Sequence, residues 1–312
     1  MKKVLIGLLL VVALLLAVVY FSAPASPISQ NVLINAHPEA IYRCLTDQKL
    51  VQEWWPEKDG APVVVTSKSN AATTAVTITP QPFNVVEVQL PANGNPVQSF
   101  IAMATLPGDS VEVTWTADIA SNSLLARLQN AWRGPALKRD MHAVLQQLQQ
   151  FMQSDKNIYG VAMQQAQVTD TLLAVTKKFD TLLPSVAVYY NMIKTLRNYI
   201  ARVGAQETNY PMLNISKVDS VHYQTMVAIP VNKEVPANST VLAKRMIPGA
   251  ILVAEVRGGP AAINEGFRQL GLYASDHHLT QPAIPFQSLV TDRSAERDSS
   301  KWITKLYYPV KD

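Results

Sequence analysis

The chain has 312 residues, 27 Lys and Arg against 23 Asp and Glu, and a formal charge of +4. Hydrophobic residues make up 48% and charged ones 16%, which excludes an intrinsically disordered chain and leaves room for two domains with a core each. The single cysteine, Cys44, excludes an intrachain disulfide and a zinc cluster of cysteines, and the scattered Lys and Arg form no basic stripe, so no nucleic-acid partner is expected.

Met1-Lys2-Lys3 precedes an unbroken apolar run from Val4 to Phe21. As a helix this run reaches about 27 Å, close to the roughly 30 Å hydrocarbon core of a bilayer. Residues 1–22 therefore read as a transmembrane anchor, or as a signal segment cleaved near Ala23-Pro24-Ala25. The flanking lysines keep the amino terminus inside, so either reading puts the rest of the chain on the outer, periplasmic side of the cytoplasmic membrane in a bacterium. Residues 23–30, rich in Ser, Pro and Ala, read as a linker.

The first domain spans 31–153. Asn31 to Ala36 is strand-like, and His37-Pro38-Glu39 opens a helix with proline in the first turn. The segment Glu53-Trp54-Trp55-Pro56 follows. Between Pro62 and Thr116 the pattern alternates, with candidate strands at 63–67, 73–79, 84–90, 99–105 and 110–117. Pro91, Asn93-Gly94 and Pro107-Gly108 mark turns between them. A long helix, 122–153, closes the domain; an interruption is expected at Gly134-Pro135, after which Leu137, Met141, Val144, Leu145, Leu148 and Met152 make one apolar face. This order, with the segment Ile41 to Asp47 and its tryptophans, resembles the START-like (SRPBCC, polyketide-cyclase type) helix-grip fold. The resemblance implies a sheet curled round the closing helix, an apolar cavity and no fixed chemistry. Cys44, Trp54, Trp55, Trp115 and Trp132 read as core.

After a polar join at Gln153 to Asn157, a strand is expected from Ile158. The second domain, 156–312, contains a repeat. Ala250 to Val256, the turn Gly258-Gly259-Pro260, a helix from Ala261 to Leu270 and a closing run from Ile303 to Val310 make one unit. Thr171 to Phe179, a helix from about Pro184 to Val203, Tyr210 to Leu213 and Met226 to Val231 make an earlier copy. The repeats cover about 156–235 and 236–312. Gly259-Pro260 after a strand and the ending Tyr308-Pro309-Val310 resemble the GyrI-like small-molecule-binding domain, which is also the effector-binding part of multidrug-sensing transcription regulators. The whole chain then reads as α+β: an N-terminal transmembrane helix, a START-like domain and a duplicated strand-helix-strand-strand domain.

In the GyrI-like family an acidic residue four positions before the closing proline faces cationic ligands. Here Lys305 stands there, and Met226 in the first repeat. Alternation puts Ile303, Lys305 and Tyr307 on one face of the closing strand, and Gln224 and Met226 on the matching face of the earlier copy. The resemblance makes that face the groove between repeats. Lys305, Tyr307, Ile303, Glu255, Met226 and Gln224 are thus the candidate ligand-binding residues, Glu255 as a cross-strand partner of Lys305. A lysine among apolar groups receives a carboxylate or phosphate, or else snorkels to solvent. His277-His278 reads as surface loop, since adjacent strand residues face opposite ways. No metal site, cofactor or catalytic residue is expected.

The leading expectation is a membrane-anchored, exported binder of small hydrophobic molecules or lipids, neutral or anionic. The alternatives are a hydrolase acting on a hydrophobic electrophile through Glu255 and Tyr307, in line with the activity of some GyrI-like relatives, or an envelope interaction module with degenerate pockets.

Overall fold

The computed structural model describes residues 27–56, 62–66, 75–91, 97–108, 110–118 and 124–311. The apolar run Val4 to Phe21, Ala23-Pro24-Ala25, the Asn93-Gly94 turn and the Trp132 side chain lie outside the described residues. Among the described residues no helix is long and apolar enough to cross a membrane. The chain divides into two compact units, Met1–Ser154 and Asp155–Asp312.

The first unit runs β1 (Ile28–Ile34), α1 (Pro38–Thr46), α2 (Gln48–Trp54), β2 (Val63–Val65), β3 (Val76–Gln81), β4 (Val85–Leu90), β5 (Val97–Leu106), β6 (Ser110–Ala117) and α3 (Leu124–Phe151). Its sheet has the order β1-β6-β5-β4-β3-β2, antiparallel except for the β2–β3 edge. β1 starts earlier than the expected Asn31 because the end of the linker joins the ladder, with Ile28 opposite Ala117. Strand β6 shows why the sheet forms. Val111, Val113, Trp115 and Ala117 are buried, and the polar residues between them face outward.

Asp47 ends α1 and caps α2, its carboxylate accepting from the N–H groups of Lys49 and Leu50. The Trp54 indole donates to the Cys44 carbonyl at 2.9 Å, and the Trp55 ring lies 5.2 Å from Trp54 and 5.7 Å from Trp115. These buried tryptophans are core. The expected break at Gly134-Pro135 does not occur: α3 is continuous through Pro135. Proline removes one helical hydrogen bond, but burial of Met141, Val144, Leu145, Leu148 and Met152 on one side carries the helix past it.

The second unit runs α4 (Asp155–Tyr159), β7 (Met163–Gln167), β8 (Leu172–Asp180), α5 (Val186–Arg202), β9 (Met212–Lys217), β10 (Tyr223–Pro230), β11 (Leu242–Arg245), β12 (Ala250–Arg257), α6 (Pro260–Asp276), β13 (Phe286–Leu289) and β14 (Ile303–Pro309). The strand expected from Ile158 is the short helix α4 instead, with Asp155 at its positive end. Ile158 and Tyr159 are buried there, and the Tyr159 hydroxyl donates to Asp276 at 2.8 Å. α6 extends past the expected Leu270 to Asp276, because the buried spacing Ile263, Leu270, Ala274 continues. His277 follows as its C-cap, half-buried and stacked on Tyr273 at 3.8 Å.

One sheet holds eight strands in the order β11-β8-β10-β9-β13-β14-β12-β7. The series β7-β8-α5-β9-β10 recurs about 79 positions later as β11-β12-α6-β13-β14. The halves abut at β9–β13, where Leu213 faces Gln287 and Met212 faces Ser288. The leading strand of each half is exchanged: β7 pairs with β12, and β11 pairs with β8. Both long helices cover one face. Tyr189, Ile193, Leu196 and Ile200 of α5 pack on Ala174, Leu213, Val227 and Ile229. Ile263, Leu270 and Ala274 of α6 pack on Leu252, Ala254 and Leu306.

The Gly258-Gly259-Pro260 turn now has its reason. Gly258 sits at φ +131, a backbone conformation side chains disfavour. At Gly259 a Cβ would come within 2.9 Å of the Ser299 hydroxyl. Buried Arg293 ties the halves together. Its guanidinium donates to Gln287 (3.0 Å) and Thr304 (2.8 Å) and lies 4.7 Å from the Trp302 ring. Its backbone N–H donates to the Tyr190 hydroxyl of α5 at 2.6 Å.

Candidate ligand-binding site

The sheet face opposite the helices carries the site. Strand alternation that sends Ala174, Leu252 and Leu306 toward the helices sends Leu173, Val175, Met212, Ala228, Ile251, Val253 and Phe286 the other way, with Met226 and Tyr307 packed among them. A cavity of about 370 Å³ opens here. Leu173, Val175, Met212, Met226 and Ala228 of the first half and Ala250, Phe286, Pro309 and Val310 of the second line it. Met246, Ile247 and Pro248 on one side, and Pro282, Ala283 and Ile284 on the other, complete its wall. Lys244 and Arg245 stand at its edge, Arg245 ion-paired with Glu234 at 2.8 Å.

A second cavity of about 230 Å³ adjoins it, sharing Val168, Met212, Met246 and Phe286 as walls. Its other lining mixes apolar Ala166, Ile251 and Val253 with polar groups, among them Gln164, Asp170, Asn209, Lys305 and Tyr307. The Asn209 amide donates to Asp170 at 2.8 Å. Phe286 and Tyr307, opposite each other in the β13–β14 ladder, stack at 4.9 Å and 5°. Burial, and then the Asp170 carboxylate, push the Tyr307 hydroxyl above its ordinary pKa, so it is a neutral hydrogen-bond donor at physiological pH.

Of the six candidates, Lys305 and Tyr307 line the polar cavity and Met226 lines the apolar one. Gln224 and Ile303, both half-buried, lie farther along their strands and line neither. Glu255 faces Lys305 in the β12–β14 register, but it is exposed, and no ion pair joins the two among the described residues. Glu255 and Tyr307 therefore do not share a cavity as an acid–base pair. Sequence reasoning missed Gln164, Asp170, Asn209 and Met246. Asp170 and Asn209 sit in connections where periodicity is silent, and Gln164 and Met246 reach the site because the leading strands are exchanged. Among the described residues no three His, Cys, Asp or Glu side chains converge as a metal cluster.

No protein-family model matches the chain, and no curated protein does. Solved structures are similar to it. The EcmrR–DNA complex determined by cryo-electron microscopy is 14% identical, with a TM-score of 0.44, over 61% of this chain and 73% of that one. The EcmrR C-terminal domain is 14% identical, with a TM-score of 0.40, over 49% and 98%. SAV2435 bound to tetraphenylphosphonium is 17% identical, with a TM-score of 0.35, over 48% and 93%. None of these neighbours bears on the START-like expectation. One expectation is corrected. The sequence reading admitted no nucleic-acid partner, yet a neighbour is a complex with DNA. Charge scattered along a sequence does not decide which residues share a face once the chain folds.

Proposed function

We propose that the second unit is a GyrI-like small-molecule-binding module, that the first unit is START-like, and that the chain carries both on the outer side of the cytoplasmic membrane. The observation that carries the binding reading is the apolar cavity of about 370 Å³ walled by both halves. Its size falls in the roughly 300–1,000 Å³ range of small-molecule sites, and its neighbour adds the few polar groups that orient a ligand. The absence of an acid at the two equivalent positions, Met226 and Lys305, supports neutral or anionic hydrophobic ligands. The exposure of Glu255 outside both cavities supports binding over hydrolysis. The apolar run after Lys2-Lys3 supports the membrane reading.

Mass spectrometry of small molecules that co-purify with the full chain tests binding. A hydrophobic compound is expected with the native chain and not with Ala228→Trp, which fills the cavity; equal recovery from both removes the site from the groove. A reporter enzyme active only outside the cytoplasm, fused after Asp312, is expected to be active. Activity of a cytoplasm-only reporter at the same place overturns the topology.

A further inference from the structure

The two cavities differ in chemistry and share walls. The larger is apolar, formed by Leu173, Val175, Ala228 and Phe286 among others. The smaller presents Lys305, Asp170, Asn209, Gln164 and Tyr307. Between them stand Val168, Met212, Met246 and Phe286, two of the four being methionines. Methionine is unbranched and adaptable, so two thioethers make a partition that a flexible chain can displace more easily than a branched side chain. A ligand that fills both cavities has an apolar part and a polar end.

The polar end is defined by charge. The smaller cavity holds one cation, Lys305, and one anion, Asp170, and no ion pair joins them among the described residues. A purely anionic head meets repulsion from Asp170, and a purely cationic head meets it from Lys305. A head carrying both charges is opposed by neither and gains from each. The alternative place for a head group, the edge at Lys244 and Arg245, is less suited. Arg245 is already engaged by Glu234, and the nearby wall residues Ile247 and Ile284 are 86% and 50% exposed and apolar. That end fits the distal part of a chain.

We propose that the groove takes a single-chain amphiphile with a zwitterionic head, its chain in the apolar cavity and its head between Lys305 and Asp170. The inference rests on the small-molecule-binding reading above and narrows its ligand class.

The test is competition on the full chain, with N-phenyl-1-naphthylamine as a neutral fluorescent probe of the apolar cavity. Competitors are alkylphosphocholines from octyl to tetradecyl, below their micelle-forming concentrations, and the alkyl sulfates and alkyltrimethylammoniums of matched length. Affinity for alkylphosphocholines is expected to rise about fourfold per added methylene until the cavity is full, then level off. At equal length the zwitterion is expected to bind about tenfold better than either charged series. Lys305→Met should shift the preference toward the cationic series and Asp170→Asn toward the anionic one, with the chain-length dependence unchanged. If the native chain binds the probe but all three series compete equally, the head assignment is wrong while the binding reading stands. The head assignment fails in the same way if Lys244→Ala, rather than Lys305→Met, abolishes the preference. If the native chain binds neither probe nor any amphiphile, the binding reading itself fails.

Discussion

Lys305 stands four positions before Pro309, beside Asp170, Asn209 and Tyr307 in the polar cavity. Two opposite charges about 4 Å apart attract by roughly 4 kcal/mol at an effective dielectric of 20, and desolvation removes much of that. Lys305→Glu is therefore expected to change the ratio of lipophilic-cation to lipophilic-anion affinity in favour of the cation by about tenfold or more. Unchanged competition by both dye classes would place the Lys305 side chain outside the ligand's reach. Alternation alone assigned Lys305 and Tyr307 to one strand face, because a period of two needs no knowledge of partners. It could not supply Asp170 or Asn209, whose position depends on connections rather than on a repeating pattern. Tyr190 offers a second measurement. Burial pushes its hydroxyl from an ordinary 10 up to about 12. The fold thus favours the neutral form: the contribution is whole below about pH 10 and is lost as pH rises through about 12. Between those values the native chain should lose urea resistance more steeply than Tyr190→Phe. Parallel loss in both proteins would show that Tyr190 does not couple to folding.

Among the elements, α6 shows what a helix gives up to sit close to a sheet. Gly266 is buried, and a Cβ there would collide with Leu306 and come within 2.9 Å of Val256. In an exposed helix, Gly→Ala stabilises by about 1 kcal/mol. Here overpacking outweighs that gain, and Gly266→Ala is expected to cost about 1–3 kcal/mol net in denaturant unfolding. A gain in stability would mean that the helix can move off the sheet without penalty. A second glycine, Gly271, helps explain why the sequence suggests an α6 that stops at Leu270. Gly266 and Gly271 lower helix propensity, and only the packing on β12 and β14 outweighs them. Most other elements were legible, because their hydrophobic periods match their burial. α4 was not, since five residues carry too little period to tell one turn of helix from a strand. The partners of β7 and β11 were not either. Met-Gln-Gln-Ala-Gln and Leu-Ala-Lys-Arg are edge strands with weak alternation, and their pairing with β12 and β8 spans a long stretch of chain. Lys244 and Arg245 suit an edge, where charge discourages pairing with another molecule.

At the scale of the molecule, the duplication in the second unit was visible as a repeat of hydrophobic runs, whereas the exchange of leading strands was not. That exchange makes each half incomplete alone. Residues 155–235 without 236–312 have no β11 to cover the edge of β8, and the converse holds for β12 without β7. The two pieces expressed together are expected to associate and melt as one transition, while each by itself stays unfolded or aggregates. Two independent transitions from separately folded halves would refute this.

Duplication within one chain also releases a constraint that binds any two-fold assembly of identical subunits. In such a dimer, positions related by the axis must hold the same residue, and a pocket astride the axis presents equal chemistry at both ends. Here β10 and β14 are equivalent strands, each closing on a proline, Pro230 and Pro309. Counted back from those prolines, Met226 answers Lys305 and Ala228 answers Tyr307. The ladder partners of Ala228 and Tyr307, Met212 and Phe286, answer each other in the same way. Each pair sets a small or flexible apolar group against a charged or aromatic one. Symmetry survives in the backbone and is broken in the side chains, which gives the groove a direction. A ligand entering it has a head end and a tail end, a distinction that no pair of identical halves could have drawn.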